Sequence, residues 1–318
     1  MRWINSRLNA EHGATAVLMA VLMVPLIAFL GISIDVGALY AERAQLQNGA
    51  DAAALAIAQD CAGGACGAAS ARAATFANAN ANDGTANVLT PAIGAGTVTV
   101  TSSTRSGGSN TMAHPFAALV GATPTTVHAQ ATAVWGGPSK SAVVLPLAIS
   151  FCEFRAALDG RLQLIRYDQN LSCPSRDGHP IPGGFGWLQP DSASCGAVID
   201  IALARTASDP GNNFPPGCDS ILTGLRGQTV LVPIFDDAPN VTRPVAWYHI
   251  YGFAAFTITG WKFSGGGSPQ VSIDPAAPSC TGSCRGIQGY FDHWVSLDAA
   301  GTVLGGPQLG ASVVRLTN

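Results

Sequence analysis

Residues 13–34, "GATAVLMAVLMVPLIAFLGISI", carry no charged side chain, and this run of 22 constrains the chain more than any other feature. A bilayer core about 30 Å thick takes roughly 20 apolar helical residues, whereas the apolar part of a secretory leader needs only about 7–15. The run therefore has the length of a retained span. A cleaved leader would also need a small-x-small site soon after it, and "ISIDVGALYAERA" offers only Leu39-Tyr40-Ala41 behind an early acid. Pro25 removes one backbone donor and kinks a helix, but membrane helices tolerate this when the freed carbonyl finds another partner. Arg2, Arg7 and the amino terminus precede the run, while Asp35, Glu42, Arg43 and Asp51 follow it. The positive-inside bias then predicts a cytoplasmic N-terminus over residues 1–12, a transmembrane anchor over 13–34 and the remaining 284 residues outside.

A chain of 318 residues leaves room for such an anchor plus one or two small domains with their own cores. Only 11% of residues are charged, and lysine occurs just twice, at Lys140 and Lys262. Beyond the span the balance is 14 basic against 18 acidic residues, so no basic stripe exists to neutralise phosphates and a nucleic-acid partner is not expected. All eight cysteines follow the span and their number is even, which predicts disulfides in an oxidising compartment. Their spacing suggests sequence neighbours as partners: Cys61 with Cys66, Cys152 with Cys173, Cys195 with Cys218, and Cys280 with Cys284. Spacing alone does not fix this, since eight cysteines allow 105 pairings. A structural zinc site would favour paired C-x2-C knuckles, which are absent from the sequence.

The helix is not expected to stop at the membrane. Residues 35–59, "DVGALYAERAQLQNGADAAALAIAQ", are rich in good helix formers, and Val36, Leu39, Leu46, Ala50, Ala53 and Ile57 recur at helical spacing. This stripe has two available partners, the protein's own following domain or a neighbouring helix of an assembly; Leu39, Leu46 and Ile57 are thus possible partner contacts. "CAGGAC" at 61–66 should end the helix, with a second helix over 68–82, a strand over 96–105, a short helix over 110–121 interrupted at Pro115, and a strand over 125–137. Residues 35–137 thus read as a helix plus a small α+β unit, with "GGPSK" at 136–140 as linker. From there the texture becomes short β-branched and aromatic runs between Gly/Pro/Asn/Asp clusters, predicting a mainly β, disulfide-stapled domain over 138–318. Its expected strands are 142–149, 161–167, 228–235, 245–263 with a break near Gly252, and 286–297; "GAVIDIALARTA" at 196–207 reads as a helix.

Residues 11–59 combine a glycine after a charged pair, an apolar span with proline, then "IDVGALYAERAQLQNGADAAALA". In this combination the segment resembles the TadE/TadG-like proteins of the Flp (tight-adherence) pilus assembly systems. "FAALVG" and "TTVHAQATAVW" further on are similar to that family's short helix and strand. The resemblance implies an accessory or structural component of a pilus assembly or secretion apparatus, working by protein–protein contact with other pilus-assembly or pseudopilin-like membrane proteins. Two departures refine this. Cleavage after Gly13 would put Leu18 at the fifth position, where TadE-type pseudopilins carry a glutamate. A leucine offers no counter-charge to a buried terminal ammonium, so retention of the uncut anchor is expected. Longer TadG-type proteins can carry a metal-binding D-x-S-x-S motif, and "DSASC" at Asp191 does not reproduce its spacing.

Catalytic signatures are absent: there is no G-x-S-x-G, H-E-x-x-H, phosphate-binding loop or dinucleotide fingerprint, so no enzyme activity, cofactor or metal is expected. His249 lies among aromatic residues and reads as a hydrogen-bonded core histidine. Asp292 and His293 are adjacent and would face opposite sides of a strand, Glu153 lacks a partner acid or base, and Asp236-Asp237 reads as a solvated turn. Phe185 and Trp187, in "IPGGFGWLQP", either dock a partner or glycan or fold back onto their own core. They keep open an alternative, an anchored extracytoplasmic enzyme or ligand-binding protein with its site in residues 141–318.

Overall fold

The computed structural model describes residues 4–168, 173–175, 178, 180–181, 183–191, 195–209, 214–239, 246–264, 271–297 and 301–317, with side chains omitted for 4–12, 14, 294, 295 and 297. Arg2 and residues 192–194 of the "DSASC" segment lie outside the described residues, as do the side chains of Arg7, Glu11 and His12. The chain divides into two units. One holds the residues up to Ile57, then Gly67–Ala133 and the last three; the other holds Ala58–Cys66 and Val134–Arg315.

The first unit is organised by helix α1 (Ile4–Ala62), 59 residues with Pro25 inside. Its apolar side chains from Val17 to Leu30 lie open, and burial starts at Gly31 and Asp35 and deepens from Leu46 onward. Helix α2 (Ala69–Asn80) follows. Strands β1 (Ala86–Val88), β2 (Ala92–Gly94) and β3 (Thr97–Thr104) pair antiparallel, with Val88 opposite Ser102 and Ala92 opposite Thr99. Strand β4 (His128–Val143) starts beside β3, where the Thr99 and Thr132 hydroxyls meet at 2.8 Å. Alternation explains the sheet: Val98, Val100 and Ser102 face inward on β3, as do Ala129, Ala131 and Ala133 on β4. Leu46 of α1 packs there with Ala77, Ala86 and Ala129, and the buried Ser102 hydroxyl donates to the Leu46 carbonyl at 2.9 Å. The short helix expected over 110–121 is a single 3-10 turn, Ala117–Val120, because Pro115 prevents a longer run.

The second unit is mainly β. Strands β5 (Leu147–Ser150), β6 (Gln163–Arg166), β7 (Phe185–Trp187), β8 (Ala197–Asp200), β9 (Thr206–Ala207), β10 (Thr229–Asp237), β11 (Trp247–Lys262), β12 (Val271–Ser272), β13 (Gly286–Asp292), β14 (Trp294–Leu297), β15 (Val303–Gly306) and β16 (Ala311–Thr317) follow in order, with short helices α3 (Phe151–Ala156) and α4 (Asp219–Gly224). One sheet runs β6-β13-β11-β10-β5-β7, with β9 and β12 also on β11. Its centre, β11, is buried over most of its length, which is why its sequence is a near-continuous apolar run instead of an alternation. Ala254, Phe256 and Ile258 enter one core cluster with Trp187 and Phe185, while Ile250 and Phe253 enter another with Phe235 and Tyr248. Elsewhere β14 pairs parallel with β16, and β8 and β15 flank the later part of β4.

Four expectations are corrected. "GGPSK" at 136–140 is no linker but the interior of β4, and the division between units falls after Ala133. Its glycine serves close approach: a Cβ on Gly137 would lie 2.2 Å from the Pro307 carbonyl oxygen. "GAVIDIALARTA" is not a helix, because Ala197 and Ile199 are buried and Val198 exposed, a two-residue period that pairs Ala197 with Val143 as strand β8. The strand expected over 142–149 is interrupted, β4 ending at Val143 and β5 starting after Pro146. The break expected near Gly252 is a bulge: Ile234 faces Gly252 and Phe235 faces Ile250, so Tyr251 is the extra residue in an otherwise continuous β11.

All eight cysteines are paired with their sequence neighbours, Cys61–Cys66, Cys152–Cys173, Cys195–Cys218 and Cys280–Cys284. The first closes the loop at the end of α1, and the second and third link segments 21 and 23 residues apart.

Candidate functional site

Among the described residues, α1 is the one helix long and apolar enough to cross a membrane. Its side chains from Val17 to Leu30 stand open: Val17 is 65% and Phe29 70% exposed. A helix of this composition left bare in water would expose a far larger apolar patch than soluble proteins tolerate, so lipid is its natural solvent. This is single-pass anchoring geometry.

The span ends in a clamp. Gly31 leaves room for the Phe116 ring; a Cβ there would lie 2.8 Å from Phe116 Cγ and Cδ1. One turn further on, Asp35 is only 4% exposed, and its Oδ2 accepts the backbone N–H groups of Phe116 at 3.0 Å and Ala117 at 2.6 Å. The carboxylate thus replaces water for two amides at the start of the 3-10 turn, and ties a segment 81 residues away to the exit of the span. Sequence reasoning gave Asp35 only a flanking charge. The acid directly after the span was the visible signal, but its partner lies too far along the chain to be read from spacing.

Beyond the clamp, Val36, Leu39, Tyr40 and Arg43 of α1 line a groove of 460 Å³ with Thr126, Val127 and His128. Here the stripe of possible partner contacts divides. Leu39 is half-buried in this groove, whereas Leu46 and Ile57 are 3% and 0% exposed. Those two are consumed by the chain's own packing and offer nothing to a neighbour.

Phe185 and Trp187 are likewise withdrawn from the surface. They sit on β7 against β5, 2% and 1% exposed, with Trp187 edge-on to Phe214 and Phe263 at 5.4 and 5.0 Å. The Gly- and Pro-rich segment suggested an open loop, but the pairing of Leu147 with Trp187 turns it into a core strand. The second unit does hold an open cleft of 590 Å³, whose lining includes Phe151, Arg155, Tyr251, Asp292, His293 and Gln308. Phe151 and Tyr251 meet edge to face at 5.2 Å, and the Tyr251 bulge directs that ring outward, 39% exposed.

The remaining polar residues have structural partners or none. His249 Nδ1 lies 2.5 Å from Asp236 Oδ1, both largely buried, and Asp237 is buried too, so this pair of acids ends strand β10 and is not a solvated turn. Glu153 is 3% exposed in α3, where its N–H is capped by the Ser150 hydroxyl at 3.2 Å and its Oε1 has no partner. Burial pushes its carboxyl up to about 7.

No curated protein and no solved structure matches the chain. The exposed span, Gly31, Asp35 and the groove-lining part of α1 all fall within residues 13–60, and it is this segment that matches the family model of Flp pilus-assembly TadE/G-like proteins.

Proposed function

We propose that the chain is a single-pass, membrane-anchored accessory or structural component of a Flp/Tad-type pilus assembly or secretion apparatus. The carrying observation is coincidence: the family match, residues 13–60, stops two residues short of the end of α1 and covers its lipid-length exposed part together with Gly31 and Asp35, the helix side of the clamp. Flanking charge favours a cytoplasmic N-terminus, with the residues that follow the span outside; four disulfides suit that compartment. The protein acts by contact with other pilus-assembly membrane proteins, and no catalysis is required of it. Purification of the tagged full chain in mild detergent tests this. Recovery of pilus-system membrane proteins, identified by mass spectrometry, supports the reading, and a lone chain without them opposes it.

The cleft beside Phe151 and Tyr251 favours a second reading, an anchored ligand- or glycan-binding protein. Two aromatic rings beside Arg155, Asp292, His293 and Gln308 combine an apolar face with hydrogen-bonding groups, which is what a sugar ring offers in return. A chain that purifies alone and retains a glycan would favour it.

A further inference from the structure

The clamp brings an apolar loop to the mouth of the span. The loop is closed at its base by Met112 and Thr125, which exchange backbone hydrogen bonds of 2.8 and 3.1 Å, and by buried His114, whose Nε2 lies 2.8 Å from the Thr125 hydroxyl. Its tip is apolar and open: Phe116, Leu119 and Val120 are 42%, 84% and 73% exposed. No Asp, Glu, Lys or Arg occurs anywhere in residues 106–139. An exposed apolar tip on a water-facing loop is costly and unusual.

Position explains it. Residues 13–34 in a helix rise about 33 Å, close to the roughly 30 Å of a hydrocarbon core. Phe116 packs over Gly31, three residues before the end of that stretch, so its ring stands level with helix side chains that already face lipid. The backbone is prepared for the same surroundings. The amides of Phe116 and Ala117 donate to Asp35, and those of Ala118, Leu119, Gly121 and Ala122 donate to the carbonyls of His114, Phe116, Ala118 and Ala117 within the loop. A segment that leaves water needs its amides satisfied internally.

We infer that the tip of the 112–125 loop is a second membrane contact, with Phe116, Leu119 and Val120 inserted among lipid chains at the outer edge of the bilayer beside α1. The occupant is lipid because the tip continues the exposed apolar surface of the span. Two points of attachment would fix the tilt and rotation of the first unit against the membrane, which one helix cannot do. This inference rests on the anchored reading.

The test uses full-length chain in phosphatidylcholine vesicles. Because the eight native cysteines are paired, a single introduced thiol carries an environment-sensitive nitrobenzoxadiazole label. Leu119→Cys is compared with Leu30→Cys on the exposed span and with Asn82→Cys, whose backbone N–H bonds Gln45, ten helix residues beyond Asp35. Val120→Cys repeats the measurement should the first variant fail to assemble. Insertion predicts that lipids bearing a shallow doxyl quencher quench the label at 119 within about twofold of the label at 30, and that aqueous iodide quenches it at least fivefold less than at 82. Iodide quenching equal to that at 82 overturns the inference, and so does shielding from both quenchers, which would mean a second copy covers the tip. If the label at 30 is itself quenched by iodide, the anchor fails and takes this inference with it.

Discussion

Replacing Asp35 with alanine should free the 3-10 turn from α1 while leaving the sheet of the first unit intact. The carboxylate accepts two N–H groups at 3.0 and 2.6 Å in a site only 4% exposed. Hydrogen bonds to a charged group contribute about 1.5–3 kcal/mol each, and here the two donors share one carboxylate oxygen, Oδ2. The low end therefore applies, roughly 3 kcal/mol for the pair, or a rise on the order of 100-fold in the opening equilibrium of the turn. Asp35→Asn keeps one carbonyl acceptor and loses the charge, so about half of that energy and a tenfold effect are expected. Amide hydrogen exchange on full-length chain in lipid nanodiscs measures this directly. Peptides covering 114–122 should exchange faster by these factors, while peptides covering β3 stay unchanged. Exchange at 116 and 117 within threefold of the parent in the alanine variant would refute the clamp, and equal acceleration in β3 would show that Asp35 supports the whole unit.

Gly31→Val should loosen the same turn by a different route, since its Cβ would fall 2.8 Å from the Phe116 ring; unchanged exchange at 114–122 would show that the ring has room to move. Glu153 gives a pH signature: its folded carboxyl holds a proton up to about 7 against 4.5 in the unfolded chain, so stability is highest below pH 4.5 and falls as pH rises to 7, by about 2–3 kcal/mol in all. Glu153→Gln should flatten that dependence in urea titrations followed by tryptophan fluorescence, and a slope identical to the parent's would contradict the burial argument. Removing the Cys152–Cys173 link by a double alanine substitution should cost the second unit about 3 kcal/mol, given its 21-residue separation, whereas bound zinc and alkylatable thiols in the parent would contradict the disulfides.

How much of this was legible depends on how local each signal is. The span and its continuation to the end of α1 were readable because apolar side chains and good helix formers act within a few residues. The cysteine spacing suggested the neighbour pairs without fixing them, and for the links across 21 and 23 residues it is the fold that brings the partners together. "GGPSK" misled because glycine marks both a hinge and a close approach, and only the presence of β15 against Gly137 distinguishes them. "GAVIDIALARTA" misled because its alanines and leucines suit a helix, and pairing with β4 overrides that preference at Ala197 to Asp200. Phe185 and Trp187 looked available in a Gly- and Pro-rich stretch, yet their fate is set by Phe214 and Phe263, far along the chain. Asp35 and Phe116 form the clearest case: each is unremarkable alone, and the contact that joins them is made by the fold.

The central claim is a retained membrane anchor, and terminal sequencing of the protein recovered from carbonate-washed membranes tests it most directly. Leu18 stands where the resemblance to pseudopilins would put a glutamate, so the expectation is that the chain is not cut after Gly13 and that Gly13→Val leaves gel mobility unchanged. The expected result is a membrane-retained chain that still carries residues 1–13. A chain beginning at Ala14 would make it a processed pseudopilin, and a washed-out chain beginning beyond Asp35 would contradict the anchor altogether.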